Sequence, residues 1–364
     1  MMNAIRILHV VTYMGRGGLE TMLMNYYRHI DRSKVQFDFL VHRDFEADYD
    51  KEIKELGGRI YHVSRLIPWS KKYKKELTKF FHSHPEYSIV HVHQDCLSSV
   101  ALKCAEECNI PVRIAHCHSS SAVKNIKYPI KLFYMKKIPE YATHLFACGK
   151  EAGDWMFSGN PYEVVRNAIN LDRYSFTENV RLKVRENLGI TNTTVVGHVG
   201  NFTAAKNHSF LIDIFEKIHA MQSNTVLLLV GGGDGMEDIK KKVEKLQLSD
   251  CVRFLGTRTD VNELMQAMDV FVFPSLYEGL PVTMIEEQAS GIPAVISDHV
   301  SDECIVTNDL ISVMKLEDSP EAWAEMILKQ SKKARVEHYS EIQAAGYDIN
   351  IEAKKLEQFY LTHS

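Results

Sequence analysis

The chain has 364 residues, of which 45% are hydrophobic, 25% charged and 10% aromatic. That composition excludes a disordered, collagenous or low-complexity protein, and the length suggests two domains at roughly 150 residues each. The formal net charge of -4 hides a split: residues 1–170 hold 24 Lys and Arg against 18 Asp and Glu, net +6, and residues 171–364 hold 19 against 29, net -10.

The opening MMNAIRILHVVTYMG has an apolar stretch from Ile7 to Val11, broken by His9. It is too short for a signal-peptide core and reads as a buried first strand. No run approaches the ~18 apolar residues of a membrane span. A cytoplasmic protein is expected. The seven cysteines are odd in number, lack Cys-x-x-Cys and read as reduced, buried thiols. Asn192, Asn201 and Asn207 begin Asn-x-Ser/Thr triplets, which mean nothing without a secretory leader.

In chain order, strands are predicted near residues 5–11, 36–41, 59–63, 89–93, 112–116 and 144–148. Helical patterns lie between them at 21–29, 72–82, 97–108 and 126–138. The second half repeats the scheme, with strands at 195–199, 226–230, 252–255, 270–273, 294–297 and 310–313. Its helices are predicted at 207–220, 236–246, 261–267, 282–289 and 320–329. Several strands are continuous apolar runs, such as TVLLLV and DVFVFP, the mark of parallel strands buried on both faces. Alternating strands and helices imply α/β, with two doubly wound parallel sheets. The boundary is expected at residues 160–175, in a polar, irregular stretch. In such sheets ligands sit beyond the carboxyl ends of the strands, so the strand–loop–helix junctions are where chemistry is sought.

The first junction carries Gly15-Arg-Gly17-Gly18. A dinucleotide fingerprint would need Gly at position 20, which is Glu. Next, His116 and His118 close a strand with alternate spacing, which puts both on one side. As a metal pair they lack a third ligand. His91 and His93 repeat the spacing and read as strand-edge residues.

In the second half, Lys206 follows a strand and a short polar loop, where a cation can neutralise a diphosphate; a solvated helix-start lysine is the alternative. Gly231-Gly232-Gly-Asp-Gly235 fits neither Gly-x-Gly-x-x-Gly nor a P-loop. It serves either close passage of a nucleotide or only a tight turn. The most informative stretch is FVFPSLYEGLPVTMIEEQASGIPAVISD, residues 271–298. A strand ends at Pro274 and a helix starts near Pro281. Glu278 precedes that helix, and Glu286 lies eight residues on, in its second turn. The helix start offers unpaired N–H groups and partial positive charge, and Gly279 permits close backbone approach, so the junction suits a phosphate. The two carboxylates would flank that anion and accept sugar hydroxyls. Surface acids near a helix start are the alternative.

Taken together, these motifs resemble the retaining glycosyltransferases of family four, which have the GT-B fold of two Rossmann-like domains facing across a cleft. The resemblance rests on Glu278-Gly-Leu-Pro…Glu286-x-x-Ala-Ser-Gly-x-Pro, on GHVGNFTAAKNHSFLIDIF at 197–215, LLLVGGGDG at 227–235, FLGTRTDV…MDVFVFPS at 254–275 and GRGGLETMLMNYYR at 15–28. It is strongest with bacterial capsule and exopolysaccharide enzymes. It implies that residues 1–170 bind the acceptor and 171–345 the nucleotide sugar, with 346–364 a helix crossing back to the first domain. It implies that Glu278 contacts the donor sugar and Glu286 the ribose, with Gly279 and Leu280 facing the diphosphate or the sugar. The catalytic set it implies is Glu278, Lys206 and His118, with His118 preferred to His116 at the reaction centre. Gly17 and Gly18 would lie under the donor phosphate and sugar, Gly231 and Gly232 against the nucleotide, and Thr257 and Arg258 near the base. The family usually has Arg before the lysine; here position 201 is Asn, which can donate a hydrogen bond without a charge.

The donor is expected to be a UDP-sugar and the acceptor a glycan or lipid-linked glycan. No Asp-x-Asp stands in a suitable context, so neither metal nor cofactor is expected, and no nucleic acid partner. Basic stretches at residues 65–79 and 124–137 suggest attraction to an anionic membrane. A nucleotide-sugar 2-epimerase of the same fold and a non-catalytic nucleotide-sugar-binding subunit are the alternatives.

Overall fold

Where the sequence is apolar and β-branched without a break, the chain forms strands that are covered on both faces; all six residues of Thr225–Val230 are buried. Where apolar residues recur every three to four positions, it forms helices that lay one face on a sheet. A computed structural model describes residues 4–119 and 126–364. In chain order the elements are β1 (Ile5–Val10), α1 (Gly18–His29), β2 (Val35–Val41), α2 (Asp50–Glu55), β3 (Ile60–His62), α3 (Lys71–Ser83), β4 (Ile89–Val92), α4 (Ser98–Glu107), β5 (Val112–Cys117), α5 (Tyr128–Met135), α6 (Ile138–Tyr141), β6 (His144–Ala147), α7 (Lys150–Phe157) and β7 (Glu163–Val164). They continue as α8 (Glu178–Leu188), β8 (Thr194–Val199), α9 (His208–Met221), β9 (Thr225–Val230), α10 (Met236–Lys245), β10 (Val252–Gly256), α11 (Val261–Ala267), β11 (Val270–Phe273), α12 (Val282–Ala289), β12 (Ala294–Ser297), β13 (Ile311–Met314), α13 (Pro320–Gln330), α14 (Tyr339–Ala344) and α15 (Ile349–His363).

The chain divides into two compact units. Unit 1 is residues 1–169 together with 348–364, and unit 2 is residues 170–347. Unit 1 is built on a seven-stranded sheet of order β3-β2-β1-β4-β5-β6-β7, unit 2 on a six-stranded sheet of order β10-β9-β8-β11-β12-β13. All the pairings in both sheets are parallel. In each sheet the strand order reverses once, between β1 and β4 in unit 1 and between β8 and β11 in unit 2. At these switch points adjacent loops diverge to opposite faces and leave a crevice beyond the strand ends.

The core of unit 1 joins Phe37, Phe39, Ile89 and Ile114 to Tyr26 and Tyr27 of α1 and to Ile349, Ala353, Leu356 and Tyr360 of α15. That of unit 2 joins Val196, Leu227, Leu229 and Val272 to Phe215 of α9 and Trp323 of α13.

Residues 126–138 do not form the single helix expected. α5 ends at Met135, and α6 restarts at Ile138 with Pro139 in its first turn, because proline lacks the N–H that a helix interior needs. Lys124, at the head of the second basic stretch, lies outside the described residues. The sequence reading missed α2, α7, α8, α14 and the two exposed residues of β7, all short or polar. Six of the seven cysteines are buried and all are free thiols.

Candidate functional site

In unit 2 the predicted residues gather at the switch point. Beyond β8 the chain makes a 3-10 turn, Ala204–Lys206, and enters α9 through Asn207, a left-handed residue at φ 53°. Asn207 donates from Nδ2 to the Pro274 carbonyl beyond β11 (3.1 Å), and the Leu276 N–H donates to the Ala205 carbonyl (2.7 Å). The two loops are thereby fastened together, and Lys206 meets Glu278. Lys206 Nζ donates to Glu278 Oε1 at 2.8 Å and lies 4.3 Å from the Phe273 ring centroid. Both side chains are mostly buried, at 16% and 12% exposure. Lys206 is therefore not a solvated helix-start lysine.

Glu286 sits in the second turn of α12, partly buried, and accepts a 2.6 Å hydrogen bond from the Tyr174 hydroxyl. Burial pushes its carboxyl up, while that hydrogen bond and the Arg173 charge pull it down. Its neighbour Glu287 is buried with both oxygens unpartnered among the described residues, and burial drives its carboxyl well above the usual range. Two adjacent glutamates are thus set apart by environment, one hydrogen-bonded at the site and one buried in the core without a partner among the described residues.

The glycine-rich loop after β9 lies against the loop after β8. The Phe202 N–H donates to the Gly232 carbonyl (2.8 Å) and the Gly235 N–H to the Phe202 carbonyl (3.2 Å). Gly231 has φ +146°, and a Cβ there would run into the Gly200 carbonyl, so only glycine fits. A Cβ on Gly232 would meet Thr257 Oγ1 at 2.8 Å, which places Thr257 beside this loop. Arg258 points to solvent and pairs with Asp260 at 2.6 Å. Asn201 is exposed next to Gly231. Gly279 and Leu280 lie half-buried just before α12.

In unit 1, Gly17 caps α1, and its carbonyl accepts from the Thr21 N–H at 2.9 Å. The Glu20 carboxylate folds back onto the Gly17 N–H, an acid answering the positive helix start. A Cβ on Gly18 would meet nothing within 4 Å.

The histidines differ from expectation. β4 lies inside the sheet, so His91 and His93 are not strand-edge residues; both are buried. With His9, His116 and His118 they form a ladder on one face of β1, β4 and β5. His9 Nδ1 pairs with His93 Nε2 at 3.0 Å, His93 Nδ1 with His118 Nε2 at 2.9 Å, and His91 Nε2 with His116 Nδ1 at 3.1 Å. His91 Nδ1 meets the Tyr360 hydroxyl of α15 at 2.8 Å. Burial lowers all five rings, His9 and His118 to about 3, so they are neutral. The third ligand that the sequence lacked is supplied by neighbouring strands: nitrogens of His9, His91 and His93, and of His93, His116 and His118, lie within 4.8 Å of one another. His118 has its Nε2 engaged by His93 and its Nδ1 buried.

Beside His93 a cavity of about 260 Å³ opens beyond the carboxyl ends of β1, β2 and β4, at the switch point of unit 1. Arg43, Arg65, Gln94 and Asp95 line it. From the sequence only Arg65 was picked out, as the head of a basic stretch and not as a site residue. The available signal was the run His93-Gln94-Asp95 directly after a buried strand.

The family model described as "Glycosyltransferase Family 4" matches residues 16–173, and that described as "Glycosyl transferases group 1" matches residues 193–332. The chain is 34% identical over 340 residues to EpsF of Bacillus subtilis (strain 168), a protein named as a glycosyltransferase, covering 91% of this chain and 88% of that one. It is 24% identical to the capsular polysaccharide biosynthesis glycosyltransferase CapH of Staphylococcus aureus, covering 98% and 99%. Among solved structures, Anabaena HepE in complex with UDP superposes with a TM-score of 0.81 at 18% identity, covering 98% of this chain and all of that one.

Proposed function

Since the chain belongs to the group 1, family 4 glycosyltransferases and has their GT-B fold, we propose that it moves a sugar from a UDP-sugar to a glycan or lipid-linked glycan, with retention of anomeric configuration. Unit 2 takes the nucleotide sugar and unit 1 the acceptor. The observation that carries this reading is the convergence of Lys206, Glu278 and the start of α12 at the switch point of unit 2. A cation and a row of free N–H groups there stabilise the diphosphate as it leaves, without a metal. Glu278 contacts the sugar and exchanges its contact with Lys206 for one with a hydroxyl; Glu286 accepts from the ribose. His118 is the imidazole we assign to the sugar.

Three similar proteins support the substrates. HepE was solved with UDP and with UDP-glucose. An Escherichia coli relative, 26% identical over 260 residues, is named as a galactosyltransferase acting on a diphosphoundecaprenol-linked sugar. CapH belongs by name to capsule synthesis.

A panel of UDP-, GDP- and ADP-sugars in thermal shift and turnover assays tests the donor. UDP-sugars should stabilise the protein and be consumed in the presence of EDTA. An epimerised sugar with no transfer would overturn the reading in favour of the epimerase.

Unit 1 is also proposed to rest on anionic membrane. α4 packs against both α3 and α5, so the two basic stretches share a layer. Trp69 and Phe133 stand exposed beside their lysines at 65% and 56%. No helix among the described residues is long and apolar enough to cross a membrane.

A further inference from the structure

Four features of the cavity in unit 1 point to a ligand, beside the bonds that the Asp95 carboxylate accepts from the His118 N–H and Ser119 and that Gln94 Nε2 makes with His42. First, Asp95 takes a left-handed conformation at φ 43° without being glycine. Such a conformation is strained and persists where the surroundings impose it, often at ligand sites. Second, Asp95 Oδ1 and Gln94 Oε1 are buried acceptors with no hydrogen-bond partner among the described residues. A buried polar atom in that state calls for a partner that a ligand can supply. Third, Arg43 and Arg65 line the same cavity, and neither makes an ion pair among the described residues; Arg43 donates only to the adjacent His42 carbonyl, at 3.1 Å. Fourth, all of this sits where the strand order of the sheet reverses, beyond the carboxyl ends of β1, β2 and β4.

Two acceptors without donors match the hydroxyls of a sugar, because a carboxylate and an amide oxygen can each take an O–H. Two unpaired guanidinium groups match a phosphate, which their planar forks hold bidentately. A volume of about 260 Å³ is on the scale of one monosaccharide with its phosphate. It lies just below the size of pockets that take drug-like ligands, about 300 Å³ and upward. We propose that this cavity is the acceptor subsite and that it recognises a glycosyl phosphate: Asp95 and Gln94 accept from the sugar hydroxyls, and Arg43 and Arg65 hold the phosphate joined to C1. The proposal rests on the reading of unit 1 as the acceptor unit. The shared chemistry is a sugar on a phosphate, whether that phosphate is free or is the first of a lipid-linked diphosphate.

The test is binding to the full chain by calorimetry and saturation-transfer NMR. The probes are glucose 1-phosphate, N-acetylglucosamine 1-phosphate, the two free sugars, inorganic phosphate, and the same sugars joined through a diphosphate to a short prenyl chain. At least one sugar phosphate should bind tenfold or more tightly than its free sugar and than phosphate. Arg43→Ala with Arg65→Ala should bring that affinity down to the level of the free sugar. Asp95→Asn, which keeps a residue tolerant of positive φ, should weaken sugar phosphate and free sugar alike. Affinity for UDP should stay unchanged in every variant, which also reports that the fold is intact. Tenfold tighter binding of the prenyl diphosphates assigns the site to a lipid-linked acceptor, and equal binding assigns it to a soluble one. Sugar phosphates that bind no better than sugar and phosphate alone, or that bind the variants as tightly as the wild type, overturn the proposal. A protein that binds sugar phosphates as described but no nucleotide would instead sink the glycosyltransfer reading of unit 2 and leave the cavity assignment standing.

Discussion

Tyr174 shows how much one hydroxyl can set. It donates to Glu286 Oε1 at 2.6 Å and so favours the ionised carboxylate that burial disfavours. Tyr174→Phe should lower UDP affinity about three- to tenfold, the worth of one hydrogen bond at about 0.5–1.5 kcal/mol. It should also move the pH below which binding fails upward, since without the donor Glu286 takes its proton at higher pH. Calorimetry of UDP binding from pH 5 to 8 checks both; a uniform loss at every pH would mean that Tyr174 acts only by packing. Glu278→Gln, by contrast, should cut kcat far more than UDP affinity, because its oxygen meets Lys206 and, on our assignment, the sugar rather than the ribose. Equal losses in the two would reverse the roles of the glutamates. Position 201 belongs to the same scale. Asn201→Arg restores a cation next to Gly231 and should raise kcat if the leaving diphosphate lacks charge there.

At the scale of elements, the ladder of imidazoles ties β1, β4, β5 and α15 into one buried network. Its rings are neutral in the folded protein, His9 and His118 lowered to about 3, whereas an unfolded histidine titrates near 6.5. The unfolded chain therefore binds more protons below pH 6.5, and stability is lost as pH falls through that value toward 3. Each ring contributes a slope of up to about 1.4 kcal/mol per pH unit. Unit 1 should melt many degrees lower at pH 5.5 than at pH 7.5, and replacing His9 with Phe should flatten the dependence. A melting temperature level across that range would show the rings to be solvated. None of this ladder could be read from the sequence, which displayed His91, His93, His116 and His118 as two separate pairs; their meeting is a matter of strand order. The same limit hid Arg43 and Arg65 from Asp95. What the sequence did display was local: the buried runs that became β8, β9 and β11, and the Glu278-to-Glu286 spacing astride the start of α12. Tyr174 went unread because its partner lies 112 residues away, and α8 because its sequence, ENVRLKVRENL, buries only Val184 and Arg185.

At the scale of the whole molecule, the charge split of +6 and -10 separates the surface proposed to meet lipid from the unit proposed to hold the nucleotide. Liposome flotation should show binding that needs anionic lipid and falls at high salt, given about 1 kcal/mol per lysine near such a leaflet and screening over about 10 Å. Lys71, Lys72, Lys74 and Lys75 changed together to Glu should abolish it. Equal flotation with neutral and anionic vesicles, or none with either, would refute the membrane role. A second expectation concerns α15, whose Ile349, Leu356 and Tyr360 are buried in unit 1. Burying each large apolar side chain is worth about 1.5–3 kcal/mol, and three of them approach the whole stability of a typical domain, about 5–15 kcal/mol. A chain cut after Tyr347 should therefore leave unit 2 folded and unit 1 open to protease, with a peptide of residues 348–364 restoring protection.

That last helix also sets the order of events at the ribosome. Unit 1 is the first to be translated and the last to be finished: its sheet emerges early, but the side chains that seal it arrive only after all 178 residues of unit 2 have been made. Unit 2 is contiguous and can close during synthesis. Until then the nascent first half presents an unsealed apolar face near Phe37, Phe39 and Ile114, the kind of surface that chaperones hold. A slowly translated stretch within unit 2 would lengthen that exposure, so the yield of active protein should depend on translation speed in a part of the gene that does not encode the vulnerable unit.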